Sequence, residues 1–178
     1  IERIIKHLHE MGITEIYVVV GFMKEKYEYL IDDFNVKLVV NRNYDKKNNL
    51  HSLLLVKKYL DNTYIIPCDI WCAKNPFNQH EFYSWYMVSD QLDDDSNVRV
   101  NRKMELVLVP KISNGNKMIG ICYLTKKDAA MVSNRIEILC SNKEYDIAFW
   151  EESLFDKNRM IVYARKVCSK DVIEINTY

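Results

Sequence analysis

Glycine and proline are scarce in this chain, four and three among 178 residues, so no Pro/Gly-rich linker divides it. Gly12, Gly21, Gly115 and Gly120 each stand alone. The first apolar strand runs into Gly21-Phe22-Met23-Lys24, not into G-x-G-x-x-G, which sets a dinucleotide-binding domain aside. An excess of charge of either sign is also missing, with 25 basic and 25 acidic residues. No global basic field attracts nucleic acid or anionic lipid. No apolar run approaches the ~20 residues of a membrane span, and nothing at the start reads as a signal peptide. The five cysteines are odd in number, and the C-x3-C of Cys68 and Cys72 lacks a second pair, with His51 and His80 off ligand spacing. Zinc is set aside. The cysteines read as buried reduced thiols and the chain as a soluble, cytoplasmic domain, with neither nucleic acid nor membrane as partner.

What is present is ordinary globular material, 48% hydrophobic and 28% charged, enough for one domain with its own core. Ile1, Ile4, Ile5 and Leu8 mark a helix that Gly12 ends. The chain enters this helix in mid-stride, without a Met or a cap, which suggests sequence upstream. Residues 15–21, 36–40 and 63–68 read as buried strands, each preceded by a helical pattern. That order is the signature of a three-layer α/β/α, Rossmann-like fold with a mixed, mostly parallel central sheet. In the second half, residues 81–90, 98–103, 104–110 and 117–124 look like strands. Ser113-Asn114-Gly115-Asn116 reads as a hairpin turn. Thr125 and Asp128 make a capping box for a helix to about Leu139. Asp146 is placed to cap a short helix through Phe149, Trp150 and Leu154, and two strands follow over 160–167 and 172–175. Asp93-Asp94-Asp95 reads as a solvated loop.

In open α/β sheets ligands bind beyond the carboxyl ends of the strands. Gly21, the loop 41–49 and Asp69 all fall there. Position alone leaves open whether Asp69 caps a turn or holds Mg²⁺, which is commonly bound by one or two carboxylates together with substrate phosphates. Asn49 and Ser52 sit at a helix start, where local capping is the plain alternative to ligand contact. Trp85, Tyr86, Tyr123 and Trp150, with Glu151 beside the last, have the chemistry of an aromatic cage for a quaternary ammonium. Core packing is the alternative for each ring.

The succession GITEIYVVVGF, KLVVNRNY, KNNLHSL and NTYIIPCDI, with Asn48-Asn49-x-x-Ser52 followed by a strand-end Asp69, resembles the bacterial CTP:phosphocholine cytidylyltransferases. These are a branch of the sugar-1-phosphate nucleotidyltransferases. The likeness is strongest over residues 1–75. It implies a single domain over 1–178, with a nucleotide-binding half (1–75) and an acceptor-binding half (76–178). It implies a Mg²⁺-assisted transfer of CMP from CTP to a small phosphorylated amine such as phosphocholine, with release of pyrophosphate. By the same resemblance Asp69 is the catalytic metal ligand, and Gly21, Asn48, Asn49 and Ser52 lie on the nucleotide. The closing Glu174-Ile175-Asn176-Thr177 matches the family's second metal motif, with Asn176 where an Asp is usual. The family's glycine-rich phosphate loop has no counterpart here. We therefore expect a strand, that loop and a basic residue ahead of Ile1, the strand lying between 18–21 and 64–68. Alternatives are a catalytically impaired nucleotide-binding module and a sugar-1-phosphate nucleotidyltransferase. A fused or partner kinase domain stays open.

Overall fold

The structure, a computed structural model, describes residues 1–110 and 114–175. In chain order its elements are α1 (Glu2–Glu10), β1 (Tyr17–Val20), α2 (Tyr29–Phe34), β2 (Lys37–Val40), α3 (Asn49–Val56), β3 (Thr63–Ile65), β4 (Ile70–Cys72), β5 (Trp85–Asp93), β6 (Val98–Val100), β7 (Glu105–Leu108), β8 (Gly115–Leu124), α4 (Lys126–Cys140), β9 (Phe155–Asp156), β10 (Arg159–Val167) and β11 (Val172–Glu174). A 3-10 helix, Trp150–Leu154, precedes β9.

The central sheet has seven strands in the order β3-β8-β5-β10-β7-β6, with β9 beside β10. Trp85–Val88, which opens β5, is buried on both faces, because the sheet is covered on both sides. On one face Tyr86, Val88, Cys122 and Leu124 pack on Leu50 and Leu53 of α3 and on Ala129, Val132 and Ile136 of α4. On the other, Trp85, Met87, Ile121 and Tyr123 pack on Ile4 and Leu8 of α1 and on the antiparallel ribbon β4–β11. Fully buried side chains such as Leu50 and Leu124 contribute about 1.5–3 kcal/mol each. The three-layer arrangement thus follows from two cores separated by a period-two strand.

The sheet is mixed as expected, but among the described residues parallel pairing is confined to β5–β10 and to the separate pair β1–β2. The remaining pairs are antiparallel. The excess comes from the second half, where β8 runs antiparallel to β5 and β7 runs antiparallel to both β10 and β6. Among the described residues β1 and β3 do not pair with each other, and each belongs to a different sheet. The third strand ends at Ile65, short of the expected Cys68.

Asn114-Gly115 does not join a hairpin. The strands on either side, β7 and β8, are not neighbours, since β8 lies between β3 and β5. Gly115 is already in β8 opposite Asp93, where a Cβ would meet the Ser96 carbonyl oxygen at 2.5 Å. Ser113 lies outside the described residues. Cys72 and Cys122 are buried, whereas Cys68 and Cys168 are exposed, so the buried-thiol expectation fails for those two. No helix among the described residues is long and apolar enough to cross a membrane.

Candidate active site

The loop after β2 is organised by Asn41, the first residue of the 41–49 loop, whose side chain is buried. Its Oδ1 accepts the Asn43 N–H at 2.9 Å and its Nδ2 donates to Ser52 Oγ at 3.1 Å. This Asx-type turn fixes the chain where it re-enters α3. A groove of about 400 Å³ opens along the loop, lined by Tyr44, Lys46, Asn48, Asn49 and Ser52 and bounded by Ile147. Three of the four candidate nucleotide residues are therefore brought together. Gly21 is not on the groove but behind it. A Cβ there would lie 2.5 Å from the Tyr44 Cβ, so the glycine lets the lining tyrosine settle on β1.

The side chains of Asn48 and Asn49 are engaged within the protein. Asn48 is the N-cap of α3, its Oδ1 accepting the Asn49 N–H at 2.7 Å. Its own N–H donates to the Asp146 carbonyl at 2.8 Å, and its Nδ2 donates to the Ile147 carbonyl at 3.1 Å. Lys47 pairs with Asp146 at 2.8 Å. Asn49 Oδ1 accepts the Trp150 N–H at 2.7 Å. Asp146 consequently does not cap the helix that follows it. Its carboxylate is on Lys47, and the 3-10 helix Trp150–Leu154 receives its cap from Asn49, 101 positions away.

The five candidate acceptor residues divide between the two sheet faces. Tyr86, Trp150 and Glu151 share one: the Tyr86 and Trp150 rings are 6.0 Å apart, and the Tyr86 hydroxyl donates to Glu151 Oε1 at 3.0 Å. Both rings are buried. Glu151 Oε2 is buried without a partner. Burial holds the Glu151 carboxyl above the ordinary carboxylate range, against the opposing hydrogen bond from Tyr86. Burial, reinforced by Glu151, keeps the Tyr86 phenol protonated as a donor.

Trp85 and Tyr123 point to the other face and do not join them. Trp85 is fully buried beneath Arg165, whose guanidinium lies 3.7 Å from the ring centroid. Arg165 holds Glu81 through two hydrogen bonds of 2.7 Å, and Tyr64 donates to the same carboxylate. Trp85 is buried by packing in the second core, the ion pair covers its ring, and no local sequence signal links Arg165 with Glu81. Tyr123 packs edge-on to Tyr64 in the same core.

Asp69 lies exposed in the turn between β3 and β4. Its carbonyl accepts the Ile175 N–H at 2.7 Å, so the β4–β11 ribbon brings Ile175 alongside it. Asn176 lies outside the described residues. Pro67, two residues before Asp69, packs on Gly120, and a Cβ at Gly120 would sit 3.9 Å from Glu151 Oε1. The Asp69 turn and Glu151 thus flank the same point of β8. Among the described residues no three His, Cys, Asp or Glu gather as a metal cluster. One exposed carboxylate is nevertheless a donor set that fits Mg²⁺, which keeps most of its shell for water and phosphate oxygens.

No family model matches the chain. It is 28% identical over 183 residues to a choline-phosphate cytidylyltransferase of Streptococcus pneumoniae, covering 99% of this chain and 79% of that one. A second choline-phosphate cytidylyltransferase, from Haemophilus influenzae, is 20% identical over 99% of this chain and 78% of its own. The solved structure of the CTP:phosphocholine cytidylyltransferase from Streptococcus pneumoniae superimposes with a TM-score of 0.85 at 26% identity, over 98% of this chain and 78% of that one. The chain is a homologue of the choline-phosphate cytidylyltransferases. Its fold is the nucleotidyltransferase fold, with the likeness running over 98% of the chain and so well beyond the first 75 residues.

Proposed function

We propose that this chain transfers the CMP group of CTP to phosphocholine and releases pyrophosphate. The observation that carries the acceptor assignment is the half-satisfied carboxylate of Glu151, one oxygen on Tyr86 and the other buried without a partner. A cationic amine completes such a site, because a buried unpaired carboxylate is costly until a positive charge joins it. Trp150 and Tyr86 hold the carboxylate in place and give it an apolar surround.

In the reaction a phosphate oxygen of phosphocholine forms a bond to the α-phosphorus of CTP, while the bond from that phosphorus to the pyrophosphate oxygen breaks and takes its electron pair. Binding and alignment dominate catalysis of this type. The groove along 41–52 is the nucleotide side, with Tyr44, Lys46 and Ser52 available to it. Asp69, with Asn176 as partner, is the position for Mg²⁺, whose chemistry is to neutralise charge on the transferring phosphates. The orientation of the two substrates falls to the protein: Glu151 fixes the amine end of the acceptor, leaving its phosphate to face the nucleotide.

The test is pyrophosphate release with Mg²⁺ from a panel of the common nucleoside triphosphates against phosphocholine, phosphoethanolamine, 2-aminoethylphosphonate and sugar 1-phosphates. CTP with phosphocholine is expected to be the best pair. Release with sugar 1-phosphates alone would replace the acceptor assignment, and no release from any pair would favour a catalytically impaired nucleotide-binding module.

A further inference from the structure

We propose that Asn49 is a positioning residue that sets the acceptor-recognising carboxylate from the nucleotide side of the site. The proposal rests on the reading of Glu151 as the acceptor's partner. The 3-10 helix Trp150–Leu154 has no side-chain cap of its own, since its N-cap is Phe149. Its first amide, that of Trp150, donates instead to Asn49 Oδ1 at 2.7 Å. Glu151 is the next residue, so the bond fixes the backbone from which that carboxylate hangs. Asn49 itself is immobilised at the first position of α3 by the Asn48 cap.

Two more links run in parallel. Lys47 pairs with Asp146, and Asn48 donates to the Asp146 and Ile147 carbonyls. The loop that lines the groove and the segment that carries Glu151 are thereby one unit, joined by three consecutive side chains of the loop. The carbonyl oxygen of Asn49 is committed to this link and not to a base or ribose. Asn49 therefore governs the acceptor, although it lies in the nucleotide-binding half.

Kinetics with CTP and phosphocholine on Asn49→Ala and Asn49→Asp test this. Asn49→Ala removes the acceptor oxygen and is expected to raise KM for phosphocholine about tenfold, with KM for CTP unchanged within about twofold. Asn49→Asp keeps an oxygen for the Trp150 amide and is expected to restore KM. Amide hydrogen exchange at Trp150 should speed up at least about tenfold in Asn49→Ala and stay slow in Asn49→Asp. A rise in KM for CTP in place of phosphocholine would make Asn49 a nucleotide contact and overturn the proposal. So would an unchanged phosphocholine KM, or an Asn49→Asp protein as impaired as Asn49→Ala. Failure of the wild-type protein to release pyrophosphate would instead remove the cytidylyltransferase reading. Calorimetric binding of phosphocholine to wild type and Asn49→Ala then decides the positioning role alone, and equal or absent binding overturns it.

Discussion

Pro67 lies against Gly120 so closely that a Cβ on the glycine would come within 2.5 Å of the proline Cγ. Gly120 also holds φ at +89°, in the left-handed region that L side chains rarely adopt. Gly120→Ala is therefore strained twice, by its own backbone and by the proline it would displace. We expect a loss of roughly 1–3 kcal/mol in urea unfolding. Because Pro67 leads into Asp69 and Glu151 lies just beyond, activity should fall further than the loss of folded protein accounts for. Activity per folded molecule equal to wild type would show that this contact serves only stability.

Glu151 has opposite pH signatures in folding and in binding. Burial raises its folded value above the ordinary glutamate value of 4.5, so the folded state binds this proton more tightly than the unfolded chain. The unliganded protein should then lose stability as pH rises from the ordinary glutamate range through the folded value. Phosphocholine, a cation partnered by the ionised form, should bind more tightly over the same rise. Glu151→Gln should flatten both profiles and raise KM for phosphocholine about tenfold or more, leaving KM for CTP near its original value. Thermal melts and phosphocholine titrations at several pH values check the two slopes separately.

Asp69→Asn keeps the size of a side chain that is exposed in its turn, so the fold should be retained. Turnover should drop about 10²-fold or more, the scale of removing one key electrostatic group. The Mg²⁺ dependence of the residual rate should shift to higher concentration. Near-wild-type activity at limiting Mg²⁺ would remove the metal role from this residue.

The two buried tryptophans should separate by function. Trp85→Ala opens a cavity under the Arg165–Glu81 pair and is expected to cost about 3–5 kcal/mol, with unchanged Michaelis constants for whatever remains folded. Trp150→Ala should also destabilise, but in addition raise KM for phosphocholine, because its ring packs beside the Tyr86–Glu151 pair. Chevron or equilibrium unfolding read beside steady-state kinetics distinguishes them. Identical behaviour of the two variants would place Trp150 in the core alone.

The helices α1 to α3 and the strands β1 to β3 are legible because their signals are local. Thr125 with Asp128 announced α4 for the same reason, and the structure forms that cap. What was not legible depended on partners distant in sequence. β4 (Ile70–Cys72) is one such element, since it exists only by pairing with β11 about 100 residues later. Asn114-Gly115 has the composition of a hairpin turn, yet β8 finds its neighbours in β3 and β5, fixed by the core and not by the turn. Asp146 has the composition of a cap, but Lys47 claims its carboxylate and Asn49 supplies the cap from across the molecule. Asp69 and Glu151 stand out by residue type and position, whereas Asn48, Asn49 and Ser52 are reached only through the resemblance to the family. That Trp85 and Tyr123 would turn away from Trp150 could not be read at all, since the face each ring takes depends on how β5 and β8 pair.

That pairing has a consequence for which sequence changes the protein can tolerate. Trp85 and Tyr86 are adjacent in β5, opposite Tyr123 and Cys122, and their side chains leave the strand in opposite directions. A one-residue slip of β5 against β8 would exchange them, putting the indole beside Glu151 and the phenol beneath Arg165. Length variation inside β5 is thus barred in steps of one by folding and, under the proposed role of Glu151, by acceptor recognition as well. A library of single-residue insertions and deletions between Trp85 and Val88, selected only for solubility, should lose the same members as one selected for activity.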